Sequence, residues 1–147
     1  MKKLATVAIM SAALLGSQIA NAHHVPPPSG PMSGTVIVAK GLEFECVLGM
    51  NFSPSGTDPN SGSVTISLSP GDDRCTALKF ENNPYSYAYN PTNHEVTVYS
   101  VDVTTITFGN CFGNISADYD GTGLLINAML PTATPPSPDC YVVGYID

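Results

Sequence analysis

The chain has 147 residues, with five lysines and arginines, twelve aspartates and glutamates, and a formal net charge of −7. This acidic balance argues against nucleic acid and anionic lipid headgroups as partners, because both are negatively charged. The length is that of one domain, and it suffices to bury a hydrophobic core without a structural metal.

The first segment predicts a cleavable export signal over residues 1–22. Two lysines follow Met1 and precede an apolar stretch, residues 4–16, that is too short to span a bilayer. Ala20-Asn21-Ala22 then supplies the small-x-small pattern of a cleavage site, so His23 should be the first mature residue. We expect an exported protein, located in the periplasm, at the cell surface or outside a Gram-negative bacterium.

Removal of the signal would change the net charge of the chain, and the remaining sequence contains no predicted membrane-spanning segment. Without the two leading lysines, three basic residues face twelve acidic ones, and the mature chain carries a net charge of −9. No later stretch is long and apolar enough to form a transmembrane segment.

After the signal, residues 23–33 contain four prolines and few apolar side chains, which predicts a flexible arm. Residues 34–147 are predicted to form a single all-β domain, an antiparallel β-sandwich or barrel stapled by two disulfides. The pattern changes phase near Tyr99-Ser100, so we expect a bulge or tight turn there. The predicted strands are rich in Val, Ile, Thr, Tyr or Phe and cover residues 35–40, 42–52, 62–68, 76–81, 85–89, 95–99, 101–108, 111–117, 124–129 and 141–146.

Four cysteines in an exported chain predict two disulfides. Cys46 and Cys75 lie 29 positions apart, and so do Cys111 and Cys140. The equal spacing favours Cys46–Cys75 and Cys111–Cys140 bridges within two similar units, 46–75 and 111–140, although sequence alone leaves the other two pairings open. Zinc is the alternative use of these cysteines, but there is no C-x-x-C pair to support it.

The common catalytic residue sets are missing from the chain, so we expect a non-enzymatic protein without a cofactor. It has no Gly-x-Ser-x-Gly, no His-Glu-x-x-His and no Gly-rich phosphate loop. His94 lies beside a turn at the start of a strand, where a solvated histidine is the simpler expectation. Glu43 and Glu45 share a strand face and could act as acid and base, but acids on the water side of a half-buried strand explain them equally well.

Two metal sites were weighed against the sequence. A mature His23 would offer its amine and ring nitrogen to copper, as in copper-dependent polysaccharide monooxygenases, with His24 or His94 as a second ligand. The Pro-rich arm offers no scaffold for such a site. Asp118-Tyr119-Asp120-Gly121 resembles part of a calcium loop, but it lacks the further oxygen residue and the terminal Glu of an EF-hand, so we expect a β-turn.

Tyr85, Tyr87 and Tyr89 fall on one face of a predicted strand with a proline near each end. If they point outward, they form an amphipathic contact surface for apolar ligands, sugars or an oil–water boundary. If they point inward, they belong to the core, which is the ordinary position of aromatic residues at period two. The sequence favours the core and leaves the contact surface as an alternative.

Besides its four cysteines, the chain contains the short motifs Glu95-Val96-Thr97-Val98, Thr107-Phe108-Gly109-Asn110-Cys111, Leu130-Pro131 and Cys140-Tyr141-Val142-Val143-Gly144. This arrangement resembles the PraB-type alkane-oxidation activator proteins of pseudomonads and relatives. The resemblance covers most of residues 34–147 and implies an exported, non-enzymatic protein that helps growth on alkanes by dispersing hydrocarbon. Hydrocarbon or cell-surface components are the implied partners, with self-association as a further expectation.

Two other classes of function stay open from the sequence. A surface structural, adhesive or biofilm-associated module could assemble by strand addition. A copper-binding protein would use the mature His23. Neither alternative has a motif as extensive as the resemblance described above.

Overall fold

The computed structural model describes residues 24–69, 73–105 and 109–147. The predicted signal peptide and His23 lie outside these residues. Nine antiparallel strands form one sheet, which confirms the all-β prediction, and no helix in the described part of the chain has the length and hydropathy to cross a bilayer. The strands are β1 (Gly30–Ala39), β2 (Glu43–Pro54), β3 (Ser61–Ser69), β4 (Leu78–Glu81), β5 (Tyr85–Asn90), β6 (Glu95–Thr105), β7 (Cys111–Tyr119), β8 (Leu124–Leu130) and β9 (Cys140–Ile146).

The sheet closes into an eight-stranded barrel. Its strand order is β6-β5-β3-β2-β1-β9-β8-β7, and β7 pairs back onto β6. The ninth strand, β4, also pairs with β6. Strand β5 pairs with the first half of β6, and β4 pairs with the last four residues of β6. Closure gives each of the eight wall strands a paired neighbour on both sides over at least part of its length.

The predicted irregularity near Tyr99-Ser100 is a β-bulge within β6. The register of β6 against β7 shifts between Val98 and Val101, and Ser100 has a positive φ of 55°. The Ser100 amide donates a hydrogen bond of 3.0 Å to Oδ1 of Asn114 on β7. The two strands predicted at 95–99 and 101–108 are therefore one strand that continues through a change of phase.

Between β4 and β5, the side chain of Asn83 replaces a strand pairing with β3. Its Oδ1 accepts a 2.8 Å hydrogen bond from the Ile66 amide, and its Nδ2 donates to the Ile66 carbonyl at 3.0 Å. The same Nδ2 also donates to the Phe80 carbonyl at 3.1 Å. One amide side chain thus satisfies backbone groups of Ile66 on β3 and of Phe80 on β4, which would be costly to leave unpaired.

Alternate residues of the strands fill the barrel interior. The largest fully buried side chains include Tyr87, Leu124 and Ile146, and the Tyr87 ring packs edge-on against Phe52 with centroids 5.0 Å apart. The apolar cavity near Lys40 measures about 20 Å³, which is room for about one water molecule. The described interior is therefore a packed core and not a ligand chamber.

The structure differs from the flexible arm predicted over residues 23–33. Strand β1 begins at Gly30, Pro28 is fully buried, and Val25 packs against the core. The Tyr87 hydroxyl donates to the Pro28 carbonyl at 3.4 Å, and the Tyr89 hydroxyl donates to the Val25 carbonyl at 3.1 Å. Composition did not reveal this because the extended segment is held by acceptors that every backbone carries.

The predicted disulfide pairing is confirmed. Cys46–Cys75 joins β2 to a 3-10 turn, Asp73–Ala77, that precedes β4, and Cys111–Cys140 joins the first residue of β7 to the first residue of β9. The second loop encloses β7 and β8, whereas the first encloses β3 and part of β2. The described strands therefore give no support to two repeated units, despite the equal spacing.

Candidate contact surface

The three tyrosines of β5 belong to the core. Tyr85, Tyr87 and Tyr89 are 4%, 2% and 4% exposed. The Tyr85 hydroxyl donates to the carbonyls of Glu81 and Asp102, and burial raises the pKa of all three phenols. The contact surface considered for these residues does not fit the structure, because their rings face inward.

Six of the nine large apolar side chains that are exposed among the described residues instead cluster on the outer side of three neighbouring strands, β1, β9 and β8. The cluster consists of six residues, each 40–53% exposed, and we call it the outer apolar face: Ile37, Leu125, Met129, Tyr141, Val143 and Tyr145. Grouped apolar exposure of this kind is more informative than single exposed residues, which are common on protein surfaces.

Strand register places these six side chains next to one another. Across β8 and β9, Leu125 lies opposite Tyr145 and Met129 lies opposite Tyr141. Across β9 and β1, Val143 lies opposite Ile37. Residues directly opposite in an antiparallel pair share one side of the sheet and touch through their side chains, so the face extends over the three strands, with the exposed Asn127 between Leu125 and Met129 on β8.

The face exists because the outward positions of β8 and β9 are mostly apolar, with Asn127 of β8 as the one polar side chain among them. The inward phase, which includes Leu124 and Ile126 in β8 and Val142 and Ile146 in β9, is 0–5% exposed. The outward phase would be polar in an ordinary half-buried strand. The apolar outward residues are therefore beyond what the fold needs.

Two close backbone approaches hold β9 against β1 under the face. A Cβ atom on Gly34 would lie 2.4 Å from the Tyr145 carbonyl oxygen, and one on Gly144 would lie 2.9 Å from the Val36 Cα. Both distances are too short for any larger residue without a backbone shift, so glycine is required at these two positions for the strands to meet.

Acidic residues border the outer apolar face. Glu45 lies opposite Ile37, and Asp118 lies opposite Leu125. Asp120 accepts a 3.0 Å hydrogen bond from the Tyr145 hydroxyl through Oδ2. Its Oδ1 accepts hydrogen bonds of 2.8 Å from the amides of Gly123 and Thr122 and from the Thr122 hydroxyl, and these bonds hold the pKa of Asp120 well below its ordinary value.

The Asp120 geometry agrees with the turn expected over residues 118–121. The Asp120 amide donates to the Gly123 carbonyl at 3.1 Å, which closes the turn between β7 and β8. No group of three His, Cys, Asp or Glu in the described ranges is arranged to hold a metal ion. His24 is exposed, and the proposed copper ligand His23 lies outside the described residues.

The other residues considered for chemistry are separate from one another. His94 has a positive φ of 58°, its ring stacks on Tyr89 with centroids 6.5 Å apart, and its carbonyl accepts a hydrogen bond from the Tyr119 amide. Glu43 and Glu45 are exposed on β2, as expected for acids on the water side of a strand. The structure brings neither glutamate to His94.

An open groove of about 400 Å³ adjoins one end of the outer apolar face. Leu125 and Tyr145 belong both to the face and to the groove wall. The rest of the lining is polar or aromatic and comes from the turns at this end of the barrel: Asn93, His94, Asp118, Tyr119 and Asp120.

Lys40 is a buried charge that sequence reasoning missed. It is 5% exposed, and its Nζ donates to the Pro138 carbonyl at 2.8 Å, to Cys111 Sγ at 3.1 Å and to Thr132 Oγ1 at 3.4 Å. Burial lowers the pKa of Lys40, and the nearby Asp139 opposes that shift. Nothing in the local sequence signals this role, since the partners lie 71 to 98 positions away.

Comparison with known proteins agrees with the resemblance seen in the cysteines and strand motifs. Neither a curated protein nor a solved structure matches the chain significantly. One family model matches residues 1–147, and its description is "Alkane oxidation protein activator PraA/PraB-like". The match spans the whole chain, and the protein therefore belongs to the PraA/PraB-like alkane oxidation activator family.

Proposed function

We propose that this protein is an exported, non-catalytic accessory of alkane oxidation that adsorbs to hydrocarbon through the outer apolar face. The observation that carries the proposal is the continuous cluster of six exposed apolar side chains on β1, β9 and β8. Family membership supplies the hydrocarbon context.

Adsorption through this face has a simple driving force. Moving apolar side-chain surface from water to an alkane phase is favourable by about 25 cal/mol per Å². The face can be used without unfolding, because its residues are already exposed on regular strands. The packed interior supports contact at the outer surface over transport of a hydrocarbon inside the barrel.

The charge of the protein adds a second property. The mature chain would carry a net charge of −9, and acidic residues border the face at Glu45, Asp118 and Asp120. Droplets coated by such a protein would repel one another and resist coalescence. This repulsion should weaken in salt, since the Debye length falls from about 10 Å at 0.1 M to about 3 Å at 1 M, whereas apolar adsorption should persist.

The two alternative functions have less support. Assembly by strand addition needs a free sheet edge, and in the described sheet such an edge is limited to β4, which has four residues and pairs with β6 alone. Copper binding depends on His23 and is tested by adding copper to correctly processed protein and recording its absorption spectrum.

A pair of double variants tests the contact surface. Tyr141→Ser with Val143→Ser removes one aromatic and one aliphatic side chain from the face, at positions 45% and 40% exposed. Tyr99→Ser with Leu42→Ser is the matched control, at exposed positions outside the face, 42% and 59%. The first variant should lose most adsorption to hexadecane droplets, and the control should retain it.

Circular dichroism and thermal unfolding establish that both variants are folded before adsorption is compared. If the two variants adsorbed equally, the outer apolar face would not be the contact surface. Normal growth on long-chain alkanes after gene deletion, together with wild-type adsorption no stronger than that of an unrelated acidic β protein, would reject the proposed function.

A further inference from the structure

We infer that the groove beside the outer apolar face is a head-group subsite for a long-chain primary alkanol, the first oxygenated product of an alkane. This inference rests on the proposed function, because it assigns a more specific ligand to one end of the same surface. It is carried by the continuity of a polar groove with an apolar face, and by the sign of the charge in that groove.

The groove and the face share Leu125 and Tyr145, so one ligand can contact both. From Tyr145 the face continues along β9 through Val143 to Tyr141. The four steps of strand from Tyr145 to Tyr141 span about 13 Å at about 3.3 Å per residue. An amphiphile with its polar end in the groove would therefore lay an alkyl chain along the face.

The Tyr145 side chain is held in place at the junction. Its hydroxyl lies 3.0 Å from Asp120 Oδ2 and 3.2 Å from Thr122 Oγ1. The hydrogen bonds that fix Asp120 in its turn also fix this anchor. The wall between the polar groove and the apolar face is thus preorganised, which reduces the entropy cost of binding.

The groove also offers hydrogen-bonding groups to a hydroxyl. Within the described residues, no hydrogen bond engages the Asp118 carboxylate or the His94 ring, and Asn93 uses its Oδ1 to accept from the Glu95 amide. A ligand hydroxyl could donate to Asp118 and accept from His94 or from Nδ2 of Asn93.

The charge of the groove discriminates between ligands with different polar head groups. Asp118 and Asp120 contribute two carboxylates, and none of the described lining residues is a lysine or arginine. A fatty-acid carboxylate would meet like charges there, whereas a neutral hydroxyl would not. The groove should therefore accept an alkanol and discriminate against the corresponding carboxylate.

Soluble eight-carbon probes test this inference without an oil phase. The mature protein is titrated with 1-octanol, octanoate and octyltrimethylammonium at neutral pH, and the NMR signals of the His94 ring and the Leu125 methyl groups are followed. We expect saturable shifts with 1-octanol and at least about fivefold weaker binding of octanoate, the ratio that corresponds to a like-charge contact of about 1 kcal/mol.

Two single-charge variants locate the effect. Asp118→Asn should weaken 1-octanol binding severalfold and narrow the difference between octanol and octanoate. Glu81→Gln removes the same charge from an exposed position on β4, so it controls for net charge and should leave both affinities unchanged.

Three outcomes would overturn the inference. The first is equal binding of octanol and octanoate, and the second is NMR shift changes that spread over the face without saturation at His94. The third is tighter binding of octyltrimethylammonium that is lost in Asp118→Asn, which would indicate a cation site. Hexadecane adsorption, measured separately, reports on the proposed function. Intact adsorption without octanol binding in the groove rejects only the subsite.

Discussion

Removal of each disulfide should expose a difference between two bridges that close loops of the same length. Both bridges join residues 29 positions apart. In the chain-entropy model a loop of that size contributes about 3.6 kcal/mol of stability at 25 °C. Loop entropy therefore predicts the same loss for Cys46→Ala with Cys75→Ala as for Cys111→Ala with Cys140→Ala.

The native surroundings of the two bridges are not the same. Cys111 Sγ accepts a hydrogen bond of 3.1 Å from the buried Lys40 ammonium, and its replacement by Ala removes that acceptor from a desolvated charge. Hydrogen bonds to charged groups are worth about 1.5–3 kcal/mol, and sulfur is a weak acceptor. We therefore expect the Cys111/Cys140 variant to lose about 1 kcal/mol more than the Cys46/Cys75 variant.

Urea denaturation followed by far-ultraviolet circular dichroism measures both losses. The same pair of variants in a Lys40→Met background completes the cycle, and there the excess loss should disappear. An excess that persists in the Lys40→Met background would refute the role of Lys40. Losses below about 1 kcal/mol for both pairs would refute the loop-entropy reasoning.

Three further predictions concern the hydrogen bonds of Asn83, the buried charge of Lys40 and the cleavage of the export signal. Asn83→Ala should lower the free energy of unfolding by about 2–3 kcal/mol in urea denaturation, because backbone groups of Ile66 and Phe80 lose their partners. Asn114 makes one such bond, and a loss no larger than that of Asn114→Ala would contradict the prediction. Burial lowers the pKa of Lys40, so the unfolded chain binds more protons, and wild-type stability should rise as pH increases toward 10.5 relative to Lys40→Met; parallel pH profiles would disprove it. The intact mass of the exported protein should begin at His23, and a mature form that still contains residues 1–22 would reject the export signal.

Most of the strands were predictable because their period-two pattern is local. The core orientation of Tyr85, Tyr87 and Tyr89 follows the same rule. The ends of strands were less accurate: β1 begins at Gly30, and β4 begins at Leu78 after a 3-10 turn. The sequence predicted a sandwich or a barrel but could not decide between them, because closure depends on which distant strands pair and on the close approach of β9 to β1 at Gly34 and Gly144.

The contact surface was missed for a different reason. The segments 124–130 and 140–146 are apolar at nearly every position, with Asn127 as the polar exception, and this signal was present in the sequence. Alternation alone does not reveal that Leu125, Tyr141 and Val143 are neighbours, because their proximity requires the register of β8 against β9. Lys40 left no local signal, since its hydrogen-bond partners come from β7 and the segment before β9.

The closed and doubly stapled barrel has a consequence for behaviour at a liquid boundary. Many proteins spread irreversibly on oil, because their core residues turn outward once the fold opens. Here two bridges and the closed ring of paired strands resist that opening, and under the proposed function the outer residues would make the contact. A molecule of this kind should detach in its native form and coat fresh droplets again, so a small amount of protein could serve a large hydrocarbon surface over many cycles.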